Sequence, residues 1–296
     1  MLFEGKRYNA AREPGLKLVV DAGFSCPHGG CTFCDNAAFH PAYSTSSKSI
    51  TQQLDEGIAF HAARGRTKGP YLAYFQSFSN TFAPLERLRE LYGEALAHPA
   101  VSGLVIGTRP DCVDAEKLDY IASLGCARIE YGIESCRDVT LERVQRGHDF
   151  ACAERAVRET AARSIPVCGH FILGLPGETR ETLLEEVDRI NALPLDSIKF
   201  HQLQILKGTP LADEFTSQPE DFVRWTLPEY IDLLADILER LRPDIAVGRL
   251  AASVPPRFLA VPGWGVQASE FHRLLEQRLA GRNTWQGKLY TPREKK

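Results

Sequence analysis

Short apolar runs alternate with amphipathic stretches along most of the chain. The apolar runs have the length of β-strands, and the stretches between them repeat apolar residues at helical spacing. This pattern predicts six strands, at residues 16–22, 71–76, 101–107, 128–132, 166–173 and 197–206. It predicts helices between them, at residues 47–64, 84–98, 114–123, 149–163 and 179–192. Strands that alternate with helices favour a parallel sheet of right-handed β-α-β units, and both a doubly wound sheet and a barrel satisfy the pattern.

The pattern changes towards the C-terminal end of the chain. An apolar-faced helix is predicted at residues 228–241, and a short apolar run follows at 245–250. A last helix is predicted at residues 270–281, where Phe271 and Leu275 share one face.

Composition narrows the class of protein. Of the 296 residues, 44% are hydrophobic and 25% are charged, which is typical of a soluble protein with a sizeable core. No apolar run has the length of a membrane span, and the first residues lack the apolar core of a signal peptide. We therefore expect a cytoplasmic protein with reduced thiols and no membrane partner. The net charge of −3 gives no general attraction to nucleic acid, so such a partner would need a local basic patch.

Three of the eight cysteines, Cys26, Cys31 and Cys34, lie within nine residues directly after the first predicted strand. We call residues 26–34 the cysteine loop. The C-x4-C-x2-C spacing can turn three thiolates towards one centre, and Gly29 and Gly30 allow the backbone to wrap tightly. Three thiolates without a fourth protein ligand suit an iron–sulfur cluster with one open iron, because closed metal sites normally use four protein ligands.

Other interpretations of the cysteine loop remain open at this point. A structural zinc site could take His28 or His40 as its fourth ligand, although the usual second ligand pair is missing. A redox pair of Cys31 and Cys34 would leave Cys26 unexplained, and three unliganded thiols would be an unusual core pattern on a glycine-rich loop. Small core residues are favoured over a second redox group for four further cysteines, Cys112, Cys136, Cys152 and Cys168.

Three segments in this order resemble the radical S-adenosylmethionine (SAM) superfamily: the cysteine loop, residues 129–135 (IEYGIES) and residues 169–179 (GHFILGLPGET). More closely, the chain is similar to the YhcC-like family at residues 21–24, 74–81, 107–112, 146–152, 206–211 and 283–288. The resemblance implies an α/β fold with an incomplete parallel (β/α)6 barrel over residues 1–250. Residues 251–296 would form a small, basic C-terminal extension packed on that core. Members of the YhcC-like family usually have a longer insertion between the first two cysteines than the four residues present here.

The resemblance also implies cofactors and a reaction. Cys26, Cys31 and Cys34 would bind a [4Fe–4S] cluster, and SAM would chelate its open iron through amino and carboxylate groups. Reduction by a partner such as flavodoxin or ferredoxin would lead to cleavage of SAM into methionine and a 5′-deoxyadenosyl radical, which abstracts hydrogen from the substrate.

Residues at the C-terminal ends of parallel strands are expected to form the site. Glu134 could accept hydrogen bonds from the ribose or ammonium of SAM, and Arg146 could pair with its carboxylate. His170 could face the ribose, and Gly174 could let the backbone approach the adenine. The plainer alternatives are a surface carboxylate, a solvated arginine beside Glu142, a core histidine and a turn glycine. Polar candidates for the substrate side are Gln76, Ser77, Asn80, Arg109, His201, Gln202 and Lys207.

The substrate is the least determined part of this interpretation. Residues 272–296 contain seven Lys or Arg against two Glu, a local charge of about +5, and Trp285 and Tyr290 lie among them. This segment suits RNA contacts and base stacking, or is a solvated basic tail that closes the barrel. Similarity to YhcC-like and elongator-type radical SAM enzymes favours modification of wobble uridine in tRNA. The alternatives are a small metabolite or peptide as substrate, or a non-catalytic iron–sulfur or zinc protein.

Overall fold

A computed structural model gives the fold of residues 3–66 and 69–292. Its sheet contains parallel strands in the order in which they occur along the chain, and helices connect them. The strands are β1 (Leu16–Val20), β2 (Tyr71–Phe75), β3 (Val101–Thr108), β4 (Ala127–Glu134), β5 (Val167–Leu173), β6 (Ser197–Gln202) and β7 (Ala246–Arg249). The predicted parallel α/β arrangement is confirmed.

The sheet is curled into a half-barrel. Lys17 on β1 and Lys199 on β6 both place their amino groups against the carboxylate of Glu130 on β4, at 2.8 and 2.5 Å. In a flat sheet, strands five positions apart are about 24 Å from each other. Only a strongly curved sheet brings both lysines to one carboxylate, so the barrel interpretation is correct and the doubly wound one is wrong.

The structure adds a strand that the sequence pattern did not predict. β7 pairs in parallel with β6, with a register shift between Ile198 and Lys199. Residues 245–250 were predicted only as a short apolar run, because a four-residue strand with the sequence AVGR carries little alternation. The free edge of β7 is covered by the N-terminal segment, where the Val247 N–H donates to the Asn9 carbonyl at 2.6 Å. The predicted sixth strand was also too long, since β6 ends at Gln202.

The helices pack on the outside of the sheet, and several begin at a side-chain cap. Ser49 and Gln52 form a capping box at the start of the first helix, and Thr226 and Glu229 form one at the eighth. None of the helices in the described ranges is both long and apolar enough to cross a membrane. The helices are α1 (Ile50–Ala62), α2 (Leu85–Ala97), α3 (Ala115–Ser123), α4 (Asp138–Arg143), α5 (Phe150–Ala162), α6 (Arg180–Asn191), α7 (Pro210–Ser217), α8 (Leu227–Arg240) and α9 (Ala268–Gly281).

The C-terminal residues are part of the same hydrophobic core as the sheet. Phe271, Leu275 and Leu279 of α9 are buried in the main cluster. Beyond α9, the amide of Gln286 is fully buried and donates to the carbonyls of Arg242 and Ile245, both at 2.9 Å. Its oxygen accepts from the N–H of residue 9 at 2.8 Å. Gln286 therefore connects the C-terminal tail both to the N-terminal segment and to the residues just before β7.

Candidate active site

A cavity of about 680 Å³ opens at the C-terminal ends of the strands. The cysteine loop lines one side of it, and inward-facing residues from β2 to β7 line the rest. This is the end of a parallel barrel where reacting groups are normally found. A smaller apolar pocket of about 340 Å³ lies at the opposite end of the strands, beside Gly125 and Cys126, and contains none of the predicted site residues.

The cysteine loop wraps over the cavity through two glycines. Gly29 and Gly30 have φ values of 80° and 135°, which other residues rarely adopt. Thr32 fixes the loop from both sides, because its N–H donates to the Val144 carbonyl at 3.1 Å and its carbonyl accepts from the Leu211 N–H at 3.0 Å. All three loop cysteines are free thiols that line the cavity.

The spread of the three sulfur atoms argues against zinc. A tetrahedral zinc ion with bonds of about 2.3 Å holds its sulfur ligands about 3.8 Å apart. Within the described residues, the three loop sulfurs are not all within 4.8 Å of one another. Of the candidate fourth ligands, His28 has its Nε2 2.9 Å from Arg109 and its Nδ1 without a partner in the described chain. His40 Nε2 contacts Ser77. A cluster that binds each cysteine on a different iron suits a wider arrangement.

Arg146 connects the cysteine loop to the end of β4. It is 6% exposed, and its guanidinium donates to Cys31 Sγ at 3.3 Å and to the Gly132 carbonyl at 2.5 Å. Its Nε atom is buried without a hydrogen-bond partner among the described residues. Glu134 lies 3.7 Å from the same guanidinium. Sequence analysis suggested a solvated arginine beside Glu142 as the alternative, and the burial of Arg146 contradicts it.

Glu134 turns into the cavity because β4 ends irregularly. The pairing of β4 with β5 shifts register between Gly132 and Glu134, and Glu134 has a φ of 75°. Burial raises the pKa of its carboxyl group, while Arg146 and Arg109 oppose that rise. A Cβ atom on Gly132 would lie 2.4 Å from Glu134 Oε1 and 2.7 Å from Arg146 Nη2. The pair therefore needs a glycine at this position, a requirement that sequence analysis did not recognise.

Arg109 supports the cysteine loop from below. Its guanidinium is 2% exposed, binds Asp111 through two nitrogens at 2.9 and 2.8 Å, and contacts His28 Nε2 at 2.9 Å. His28 in turn lies 3.3 Å from Cys31 Sγ. Burial, with Arg109 and Arg146, lowers the pKa of His28, so the imidazole is neutral. Arg109 lines the cavity as expected, but its donors already have protein partners.

The floor of the cavity contains a buried ionic network centred on Glu130, which sequence analysis missed. Glu130 is 1% exposed and accepts from Lys17 at 2.8 Å, Tyr74 at 2.9 Å, His170 at 3.0 Å and Lys199 at 2.5 Å. Burial opposes its ionisation, yet Lys199, His170 and Lys17 hold the pKa of Glu130 well below its ordinary value. The inward-facing charges of the RIEYG segment were the available signal.

The network contains a close group of Glu130, Cys168 and His170, whose ligand atoms lie within 4.8 Å of one another. A metal ion is not expected there, because the carboxylate is already paired with Lys17 and Lys199. Burial and then Lys199 lower the pKa of His170 to about 4, so its imidazole is neutral and donates to the Glu130 carboxylate.

The remaining candidates divide into residues that line the cavity and residues that do not. Gln76, Ser77, His170, His201 and Gln202 line it. Three others do not: Asn80, Lys207 and Gly174. Cys112, Cys136 and Cys168 are buried and Cys152 is partly buried, and all four are free thiols.

The three residues outside the cavity wall have structural surroundings. The Asn80 amide is buried and donates to the carbonyls of Phe75 and Gly107 at 3.0 and 2.7 Å, which joins the ends of β2 and β3. Lys207 is exposed. Gly174 has a φ of 97°, and a Cβ atom there would lie 2.9 Å from Trp225 Nε1.

The basic residues of α9 are largely paired, in contrast to the expectation of a free basic patch. Arg278 donates to Asp232 of α8 at 2.9 Å. Arg282 contacts Asp236 and Glu239 of the same helix at 2.6 and 3.3 Å. Sequence analysis could not foresee this, because the acids lie some 40 residues earlier on a neighbouring helix. Three basic residues of the predicted patch lie outside the described residues: Arg293, Lys295 and Lys296.

Comparison with known proteins agrees with this geometry. The radical SAM superfamily model matches residues 22–190, and the radical SAM C-terminal domain model matches residues 195–280. The uncharacterized protein YtqA of Bacillus subtilis is 33% identical over 93% of this chain and 88% of its own length. Protein YhcC of Escherichia coli is 34% identical over 84% of this chain and 82% of its own length.

Two further similarities are more distant. The tRNA uridine(34) acetyltransferase of Dehalococcoides mccartyi is 25% identical over 56% of this chain and 36% of its own length. The solved structure of Elp3 from the archaeon Methanocaldococcus infernus superimposes with a TM-score of 0.71. It covers 92% of this chain and 64% of that one, but at 16% identity it shows only the fold.

The donor set fits the cofactors of this superfamily. Three thiols line one cavity, and a buried cation donates to one of them. The buried Arg146 Nε and His28 Nδ1 atoms have no partner among the described residues, as expected where a polar ligand binds. The family model covers more than half of the chain, and relatives at 33–34% identity cover most of it. The chain therefore belongs to the radical SAM superfamily, and it is an enzyme that uses a [4Fe–4S] cluster and SAM.

Proposed function

We propose that this enzyme modifies the wobble uridine of tRNA, with Cys26, Cys31 and Cys34 as the ligands of the cluster. When bound, the cluster and SAM supply a radical that removes hydrogen from a carbon of the substrate. The protein supplies a cavity that limits the access of water. It also orients SAM and the substrate and provides the electrostatic surroundings of both. A reductant such as flavodoxin or ferredoxin would deliver the electron.

SAM is proposed to bind beside the cysteine loop. Glu134 and Arg146 lie together there, and offer a carboxylate for the ammonium or ribose hydroxyls and a buried cation for the carboxylate of SAM. His170 lies on the neighbouring strand as the proposed ribose contact. Gly174 stays the proposed adenine contact through its backbone, although it lies outside the wall of this cavity. Glu178 fixes that backbone by accepting from the Gly174 N–H at 3.1 Å.

The observation that carries the tRNA proposal is the character of the cavity mouth. Phe78 lines the mouth and is 40% exposed, an unusual position for a large apolar side chain and one suited to base stacking. Lys207 follows Leu206 of the cavity wall, Arg224 lines the adjoining groove, and Arg257 lies over the Phe258 ring. All three are exposed and form no ion pair within residues 3–66 and 69–292. An exposed aromatic ring and exposed cations without ionic partners both suit an RNA loop. The similarity to a tRNA uridine(34) acetyltransferase supports the same substrate.

The experiment compares tRNA-dependent turnover in matched variants. Anaerobically reconstituted enzyme is given SAM, reductant and total tRNA, and 5′-deoxyadenosine and the wobble nucleosides are measured by mass spectrometry. The triple variant Lys207→Glu, Arg224→Glu and Arg257→Glu should bind tRNA more weakly. The slope of log affinity against log salt concentration should become shallower by about 2. This variant should keep uncoupled SAM cleavage.

The matched control is the triple variant Arg64→Glu, Arg89→Glu and Arg155→Glu, at exposed positions in the turn after α1, on α2 and on α5. This control makes the same change in net charge and should bind tRNA like the wild type. If wild-type turnover is not increased by tRNA, or both triple variants bind it equally, the tRNA proposal is wrong. The substrate would then be a small metabolite or a peptide.

A further inference from the structure

Arg249 is a cation of the cavity wall without an ionic partner. It is the last residue of β7, and its side chain lines the cavity. It forms no hydrogen bond or ion pair with any residue of the described ranges. The other arginines that line the cavity are paired, since Arg109 binds Asp111 and Arg146 contacts Glu134.

The ionic network centred on Glu130, which Arg249 adjoins through its strand partner Lys199, carries an excess of positive charge. The Glu130 network contains three cations and two carboxylates, because Glu13 bridges Lys17 and Arg128 at 2.8 and 2.5 Å. Arg249 raises the count to four cations against two carboxylates, a net charge of +2. The members of this count are Lys17, Arg128, Lys199, Arg249, Glu13 and Glu130.

Two neutral imidazoles lie beside this excess charge. His201 lines the cavity, its ring lies 5.7 Å from that of His170, and it has no hydrogen-bond partner in the described chain. Burial and then Arg249 lower the pKa of His201 well below its ordinary value. His201 therefore offers a hydrogen-bond donor to a ligand without adding a charge of its own.

Arg249 is separated from the corner where SAM is proposed to bind. Gly132, His170, Lys199 and Arg249 are paired in succession across four neighbouring strands. Three steps between strands correspond to about 14 Å along the sheet. Arg146, which contacts Cys31, binds at the Gly132 end of this row.

We propose that Arg249 and His201 form a subsite for an anionic group of the substrate, a carboxylate or a phosphate. A substrate that fills the cavity displaces water from the guanidinium, and a desolvated cation is stable only with an anionic partner. Guanidinium groups pair bidentately with both kinds of anion. The inference rests on the membership in the radical SAM superfamily and does not require that the substrate be tRNA.

The test measures binding of two small anions to the reconstituted enzyme with SAM present. Inorganic phosphate and acetate are titrated separately, with NaCl holding the ionic strength constant, and dissociation constants are taken from shifts of the melting temperature. We expect saturable binding of at least one anion. Arg249→Gln should weaken it about tenfold or more, whereas Arg249→Lys should change it only a few-fold. The anion that binds identifies the group as carboxylate or phosphate.

Arg89→Gln is the matched control, because Arg89 is exposed on α2 and lines neither this cavity nor the adjoining groove. It should bind the anion like the wild type. Equal anion binding by wild type and Arg249→Gln would overturn the inference. So would a tenfold loss of SAM affinity in Arg249→Gln with anion binding intact, since Arg249 would then serve SAM. Because the probes are small anions, a negative result with tRNA changes neither outcome.

Discussion

Gly132→Ala tests whether the site depends on the space at the end of β4. The new methyl group would lie 2.4 Å from Glu134 Oε1 and 2.7 Å from Arg146 Nη2, so both atoms must move. Each atom is the free end of a flexible side chain. We therefore expect the free energy of unfolding to fall by only about 1 kcal/mol, the low end of the cost of overpacking.

The loss of function should be larger than the loss of stability. A displaced Arg146 cannot keep its hydrogen bonds to Cys31 Sγ and the Gly132 carbonyl, nor its contact with Glu134. Loss of a hydrogen bond to a charged group costs about 1.5–3 kcal/mol. If this pair holds SAM, its affinity should fall roughly 10- to 150-fold.

The assay combines equilibrium dialysis of SAM with iron analysis and thermal unfolding of the anaerobically reconstituted variant. Gly93→Ala is the control, since Gly93 lies within α2 and an added Cβ there would have no atom within 4 Å. The control should keep wild-type SAM affinity. The reasoning is refuted if Gly132→Ala binds SAM within twofold of the wild type while it remains folded.

Three further results are expected. Replacing all three cysteines of the cysteine loop with Ala should abolish the binding of about four irons per chain, whereas Cys126→Ala should retain the iron. Stoichiometric zinc in the wild type would contradict this prediction. Burial and Glu186 raise the pKa of Glu178 to about 8, so the protonated carboxyl stabilises the fold at low pH and this stabilisation is lost as the pH rises through 8. Between pH 5 and pH 9, the melting temperature should therefore fall less in Glu178→Gln than in the wild type. The same pH profile in both proteins would contradict this role of Glu178. Gln286→Ala should lower the free energy of unfolding by about 2–4 kcal/mol, because it leaves one buried and two partly buried backbone groups unpaired. Chemical denaturation would show this, and exposed Gln277→Ala should be neutral.

The architecture was largely predictable because it depends on local patterns. Apolar runs at regular intervals indicated parallel strands, and the spacing of the loop cysteines indicated their common role. The choice between an open sheet and a barrel came from the family resemblance, since curvature depends on contacts between distant strands. β7 escaped prediction because four residues, two of them Gly248 and Arg249, form no recognisable alternation.

The parts of the site that sequence analysis missed depend on register and on long-range pairing. Glu130 is surrounded by groups from four other strands, and only the curled sheet brings them together. Asn80 was expected near the substrate, but its amide joins two strand ends instead. The arginines of α9 were expected to be free, but acids on α8 neutralise them. A polar residue in a sequence does not reveal its partner when that partner is distant in the chain.

The contacts between residue 9 and residue 286 impose an order on biosynthesis. These positions are 277 residues apart, which the ribosome translates in roughly 14 to 55 s. During that time the cysteine loop has emerged, while the N-terminal segment that covers the edge of β7 has neither its strand nor Gln286 to bind. The nascent chain thus exposes oxidisable thiols and an unpaired strand edge until translation is nearly complete. The cellular machinery that inserts iron–sulfur clusters, and chaperones, would therefore bind the completed half-barrel only after residues 9 to 286 have been translated.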